Sequence, residues 1–215
     1  LGLKSQAALL LSAAFWGSSF IFTKGLFDSE PAITTNIIVM ARLLVATLVF
    51  LPALCLMGKM ERLRKGDLGM MMVLSLWEPF LYMFLETSGV RLVPSSVASI
   101  IVATIPLFVP FAMTLVYKER LSVWAVVGVL LSLAGIAAMT LFDPNSTSGE
   151  LRPLGLLFLA AAVVVAVIYT LWLVKVLERY KPFTVTTYQN LFAFLYFIPV
   201  VLLFDHGSLP LLSYR

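Results

Sequence analysis

Seven stretches of about twenty residues, nearly free of charge, follow one another through this chain of 215 residues. They cover residues 4–24, 33–58, 68–88, 93–117, 121–142, 153–174 and 183–204. A hydrocarbon core of about 30 Å is crossed by about 20 helical residues, so each stretch has the length of one span. Lipid offers no partner for an open backbone N–H or C=O, which leaves α-helices as the form these stretches take. Composition agrees: 61% of the residues are hydrophobic, 12% are charged, and the mean hydropathy is +1.02. A water-soluble domain carries about a quarter charged residues. The expected fold class is therefore an all-α integral membrane protein, a multi-span helical bundle. The first stretch resembles a signal peptide in length, but six spans follow it without a clear cleavage site, so a retained helix is expected.

The remaining composition removes several kinds of chemistry. Cys55 is the lone cysteine and lies in an apolar run, which excludes an internal disulfide and a cysteine-clustered metal site. His206 is the lone histidine and sits in a polar gap, so no histidine-based metal site or catalytic dyad is expected within the membrane. No cofactor is expected. The net charge of +4 does not point to nucleic acid, because the basic residues occupy the gaps between spans. With the N-terminus inside, the inner gaps hold Lys4, Lys59, Arg62, Arg64, Lys65, Lys118, Arg120, Lys175, Arg179 and Lys181. The outer gaps hold Lys24, Arg91, Arg152 and Arg215. Cytoplasmic loops carry the excess of Lys and Arg, so a cytoplasmic N-terminus is expected, in a cell membrane of the bacterial inner-membrane type.

Polar residues inside the spans carry the functional reading. A charge at mid-membrane costs about 2.5–3.5 kcal/mol on insertion scales, so Arg42 and Glu78 each need a reason. Counted from the ends of their stretches, both fall near the midplane, which predicts that they pair or face one water-filled cavity. Glu78 precedes Pro79, and proline disfavours α geometry at the residue before it and removes a backbone donor. A bend beside a carboxylate is therefore expected, and irregular backbone of this kind lines the cavities of transporters. Ser75, Glu78, Tyr82 and Glu86 recur at steps of three or four and form one polar stripe. Glu86 falls near the outer interface, where it is either solvated or part of that stripe. Ser12, Trp16, Ser19 and Thr23 repeat the spacing on the first helix, with Trp16 either packing or stacking on a substrate.

The fourth helix carries Pro106 and Pro110 on one face, extended outward by Ser96, Ser99 and Ala103, which suits a bent cavity wall. The candidate cavity set is Trp16, Ser19, Arg42, Glu78, Tyr82, Ser99, Pro106 and Tyr169, with Glu78 the candidate proton carrier. Gly128, Ser132 and Gly135 form a small-residue seam on the fifth helix, a feature of helix contact or of contact with a second copy of the chain.

The stretch after Pro153 looks like a second start. Pro31 and Pro182 follow the first and sixth spans, Thr34-Thr35 and Thr186-Thr187 come next, and long apolar runs then reach Pro52 and Pro199. An offset of roughly 150 residues is the mark of a repeat. A five-helix unit is odd in number, so its second copy lies inverted, as in many secondary transporters.

Several motifs resemble one family. Phe15-Trp16-Gly17-Ser18-Ser19-Phe20 resembles the first-helix signature of the drug/metabolite transporter superfamily, EamA type. Ala41-Arg42-Leu43-Leu44 resembles its second-helix Arg motif. Thr104-Ile105-Pro106-Leu107-Phe108, then Lys118-Glu119-Arg120-Leu121, resembles the end of its fourth helix and the turn that follows. The resemblance implies ten helices in two inverted five-helix repeats around a central cavity, and a small organic solute, a metabolite or drug-like molecule, as cargo. On it, residues 1–142 are the first repeat, 143–152 an extracytoplasmic loop, and 153–215 the start of a second repeat. The chain would then be a fragment of seven helices, lacking the last three, and its start at Leu1 would follow a missing methionine.

A permease working by alternating access is the leading functional expectation, with the lipid bilayer and a small solute as partners. No GxxxxGKS or GxxxxGKT phosphate loop occurs, which excludes a built-in ATPase motor. A seven-helix receptor or channel is the alternative, but a retinal Schiff base needs a lysine that the seventh span lacks. An intramembrane enzyme would need a nucleophile with its base, or a metal, and neither is found. Glu78 and Glu86, eight residues apart, stand ~12 Å from each other along a straight helix, too far to share one substrate bond.

Overall fold

The computed structural model describes residues 3–118, 122–142 and 152–205. Every regular element among them is a helix. α1 is Leu3–Ser29 and α2 is Thr35–Leu56. The third span is built from α3 (Asp67–Ser75), a widened turn Leu76–Leu81, and α4 (Tyr82–Leu92). The fourth is split into α5 (Ser95–Val102) and α6 (Ile105–Tyr117). α7 (Val123–Phe142), α8 (Pro153–Leu177) and α9 (Pro182–Phe204) complete the order. Among the described residues six segments are long and apolar enough to cross a bilayer: Ser5–Ser29, Thr35–Leu56, Asp67–Leu92, Ser95–Tyr117, Pro153–Leu177 and Pro182–Phe204. The 20-residue α7, without a charged side chain, coincides with the remaining expected span. The chain is a multi-pass membrane protein. Residues 143–151 of the expected outer loop, Glu119-Arg120-Leu121 and His206 lie outside the described residues.

The helix limits follow local chemistry. Thr34, extended at φ −91 and ψ 159, accepts the Ile37 N–H at 3.4 Å through its hydroxyl and so begins α2. α8 and α9 open on Pro153 and Pro182, where proline's fixed φ suits a helix start and its missing N–H has no partner to lose. Gly66, at φ +99, makes the left-handed step into α3 that a residue with a Cβ resists.

Large side chains point outward as well as inward. Leu10, Phe22, Leu115 and Leu203 are each more than 70% exposed, which suits a surface that meets lipid. Inside, α2 packs along α9, and Val39, Leu43, Ala193 and Phe197 close that seam. α4 packs along α8 around Tyr82, Ala162, Val165 and Ala166. α1 leans on α4 and α5, and α7 on α5 and α6. At the end of the bundle rich in basic residues, the segment after α2 is tied to the segment before α9. Arg179 pairs with Asp67 at 3.2 Å, the Tyr180 hydroxyl donates to the same carboxylate at 2.8 Å, and it accepts the Arg64 N–H at 2.9 Å. The Lys181 N–H donates to Glu61 at 2.7 Å.

Candidate functional site

The break in the third span is where the sequence places it. Glu78 is extended, at φ −143 and ψ 130, inside an otherwise helical segment, and the Glu78–Pro79 peptide is cis. Proline at position 79 cannot donate, and its ring drives the preceding residue out of α geometry. The backbone around it therefore needs an outside partner. Gln189 of α9 provides one: its Nε2 donates to the Glu78 carbonyl at 2.9 Å. The same amide exchanges contacts with the Tyr169 hydroxyl of α8, at 3.2 and 3.3 Å. Three spans thus meet at the break through polar groups, and the half-buried Glu78 carboxyl acts on the charge environment of Tyr82 and Tyr169.

A second group lies toward the end of the bundle opposite the basic loops. Glu86 is only 4% exposed and accepts the Tyr82 hydroxyl at 2.9 Å. Trp16 of α1 and Arg42 of α2 lie near enough to the same carboxyl to act on its charge. Glu86 is therefore a buried member of the stripe, which settles the two alternatives for it.

The expected Arg42–Glu78 pairing is not what the coordinates show: among the described residues no ion pair joins the two. The reason is depth. Arg42 stands seven residues past the start of α2 and Glu86 six before the end of α4, so both lie about 10 Å from the same helix ends. Glu78 lies about 20 Å from that level reference. Tyr82 connects the two groups, because it feels Glu86, Glu78 and Arg42 together. Arg42, Glu86, Tyr82, Glu78, Gln189 and Tyr169 thus form a polar line within an apolar bundle, hydrogen-bonded between Tyr82 and Glu86 and from the Glu78 carbonyl through Gln189 to Tyr169.

The other candidates divide. Ser19 lines an open cavity of about 410 Å³ together with Phe15, Phe22, Thr23, Leu26 and Arg42. Its hydroxyl proton is given to the Trp16 carbonyl at 2.6 Å. Ser75 and Ser99 likewise donate to their own helices, at 2.6 Å to Met71 and 2.8 Å to Ser96. Ser12 is exposed. Pro106 is the second residue of α6, and the fourth span breaks just before it, where Thr104 donates to the Ile101 carbonyl at 2.6 Å. Among the described residues no hydrogen bond brings Ser99 or Pro106 to the polar line. A separate apolar cavity of about 560 Å³ runs between α6 and α8, past Phe108, Phe111 and Val163.

The glycine seam has no partner among the described atoms: a Cβ at Gly128 or Gly135 would meet nothing within 4 Å. The Ser132 side chain lies outside the described set. Close helix contact occurs elsewhere. A Cβ at Gly89 would stand 2.5 Å from Leu159 Cγ, and one at Gly155 would stand 2.7 Å from Leu92 Cβ. These two residues, and Gln189, are the positions that reading the sequence alone missed.

A model of the EamA-like transporter family matches residues 3–141, from α1 to the end of α7. The chain belongs to the EamA-like transporter family. Among curated relatives, it is 26% identical over 200 residues to Uncharacterized transporter YetK of Bacillus subtilis (strain 168), which covers 92% of this chain and 60% of that protein. It is also 26% identical over 187 residues to an Uncharacterized transporter of Archaeoglobus fulgidus, covering 86% of this chain and 63% of that protein. The chain thus spans less than two thirds of the length of these relatives. No solved structure matches it.

Proposed function

We propose that the chain acts in a secondary permease that moves a small organic solute by alternating access. The observation that carries this reading is the extended break at Glu78 inside a membrane span, with its carbonyl held by Gln189. Broken spans with irregular backbone are tolerated at membrane depth only where they are buried in protein or line a water-filled cavity. At the break the Tyr169 hydroxyl bonds Gln189, and one turn farther along the span the Tyr82 hydroxyl bonds Glu86. The family membership and the transporter names of the two relatives support the same class of activity.

In this reading residues 1–142 form one five-helix repeat and α8 and α9 open an inverted second one, after a loop outside the cell. The N-terminus is cytoplasmic, in a cell membrane of bacterial inner-membrane type, as the distribution of Lys and Arg indicates. Glu78 is the proton carrier, since it is the carboxyl at the break itself. The test is solute exchange in proteoliposomes with and without an imposed pH gradient. Wild-type flux is expected to follow the gradient, and Glu78→Gln to exchange solute without responding to it. A Glu78→Gln protein that still follows the gradient removes Glu78 from the role.

A further inference from the structure

Arg42 presents an unusual situation for a charge inside a span. It is half-buried about 10 Å below the start of α2, and among the described residues it makes no hydrogen bond and no ion pair. Glu86 lies near enough to be felt, yet that carboxyl is committed to Tyr82 and approached by Trp16. Arginine carries five N–H donors in a planar fork and stays charged under all conditions a protein meets. A guanidinium at this depth with its fork unspent needs an acceptor, because an unsatisfied charge there is expensive.

Arg42 lines the open cavity of about 410 Å³ between α1 and α2, and also a groove of about 580 Å³ lined by α2 alone, so only the first offers walls from two helices. The volume of that first cavity falls within the range of small-molecule pockets. Phe15, Phe22, Leu26 and Ile38 make the apolar half of its wall, open on the side where Phe15 and Phe22 reach the outer surface of the bundle, so it accepts an apolar body. Ser18 and Ser19 have given their hydroxyl protons to the Phe15 and Trp16 carbonyls, at 2.9 and 2.6 Å, and therefore offer no strong donor in competition with Arg42. The cation at one side and the apolar wall at the other define the complement: a planar anionic group on a short apolar or aromatic frame. A carboxylate matches the guanidinium fork with two parallel N–H···O bonds.

We infer that Arg42 is the anion-recognising residue of this protein, and that the cavity beside it takes a small carboxylate with an apolar body. The inference deepens the permease reading and rests on it for the word substrate; binding itself does not depend on transport.

The test uses purified protein in maltoside micelles, which contain no phosphate, and three probes with one frame: 3-phenylpropionate, 3-phenylpropanamide and 3-phenylpropylamine. Equilibrium binding is measured by calorimetry. Wild type is expected to bind the carboxylate at least tenfold more tightly than the amide or the amine. Arg42→Lys keeps a point charge but loses the fork, and is expected to bind the carboxylate at least tenfold more weakly than wild type. Arg42→Gln is expected to lose the preference for the carboxylate over the amide. If Arg42→Gln does not fold, judged by its melting curve, the wild-type series and Arg42→Lys still decide. Equal binding of carboxylate and amide by wild type overturns the inference. So does an unchanged preference in Arg42→Gln, or no carboxylate binding by wild type up to about 10 mM, the weak limit of useful affinity. Titrating phosphatidylglycerol into the micelles separates a solute from a lipid headgroup. The carboxylate is expected to stay bound, and its displacement by the lipid through Arg42 overturns the assignment to a solute. Carboxylate binding without any flux in proteoliposomes leaves the site standing and removes the permease reading; flux of an unrelated solute with no carboxylate preference does the reverse.

Discussion

Single side chains decide where polarity is tolerated in this bundle. The Glu78 carbonyl, freed by Pro79, is matched by one amide, Gln189 Nε2. Gln189→Leu keeps the size and removes the donor, and interhelical hydrogen bonds of this kind contribute about 0.6 to 1.7 kcal/mol. A fall in melting temperature is therefore expected for Gln189→Leu, and an unchanged melting curve would contradict the role given to that amide. At the basic end, Tyr180 is only 5% exposed. Burial, then the neighbouring Asp67 carboxylate, pushes its phenol up from the ordinary value near 10. A raised folded-state value means that the stability tied to this neutral phenol is whole below about pH 10 and is lost as pH rises above it. Melting curves between about pH 9 and 11 are expected to decline more steeply for wild type than for Tyr180→Phe, and parallel declines would contradict this. At this scale the Glu78–Pro79 break was legible, because proline acts on its immediate neighbours. Gln189 was not, since its value comes from a carbonyl 111 positions away in the chain.

Helices contribute depth and contact, which single residues do not reveal. Counting from the ends of apolar stretches set Arg42 opposite Glu78. The true ends of α2 and α4, together with the widened turn Leu76–Leu81, set it level with Glu86. The same limit applies to small residues. Gly128 and Gly135 have the spacing of a packing seam yet face no described atom, whereas Gly89 and Gly155 lack that pattern and sit where α4 and α8 press together. Spacing names a face of a helix but not what stands before it. Overfilling a packed contact costs about 1–3 kcal/mol. Gly89→Ala and Gly155→Ala are expected to lower the melting temperature, while Gly128→Ala leaves it unchanged. A destabilised Gly128→Ala with an unaffected Gly89→Ala would reverse the assignment of helix contacts.

Across the whole molecule, the succession of spans was legible because bilayer thickness imposes a length on every apolar run, while their ends were set by local chemistry. The family was legible from short motifs held in order over the first five spans. The direction of the polar line was not, because it is assembled from α2, the widened turn Leu76–Leu81, α4, α8 and α9, and no single stretch contains it. The alternating access proposed above requires that one position near that line be reachable from each side in turn. Ser19 lines the Arg42 cavity, and cysteine is close to serine in size. The free, exposed Cys55 is first replaced by serine, and Ser19→Cys is then treated with a membrane-impermeant thiol reagent applied to one side of sealed vesicles at a time. Modification from both sides is the result predicted here, and modification from one side alone, with or without solute, would contradict it.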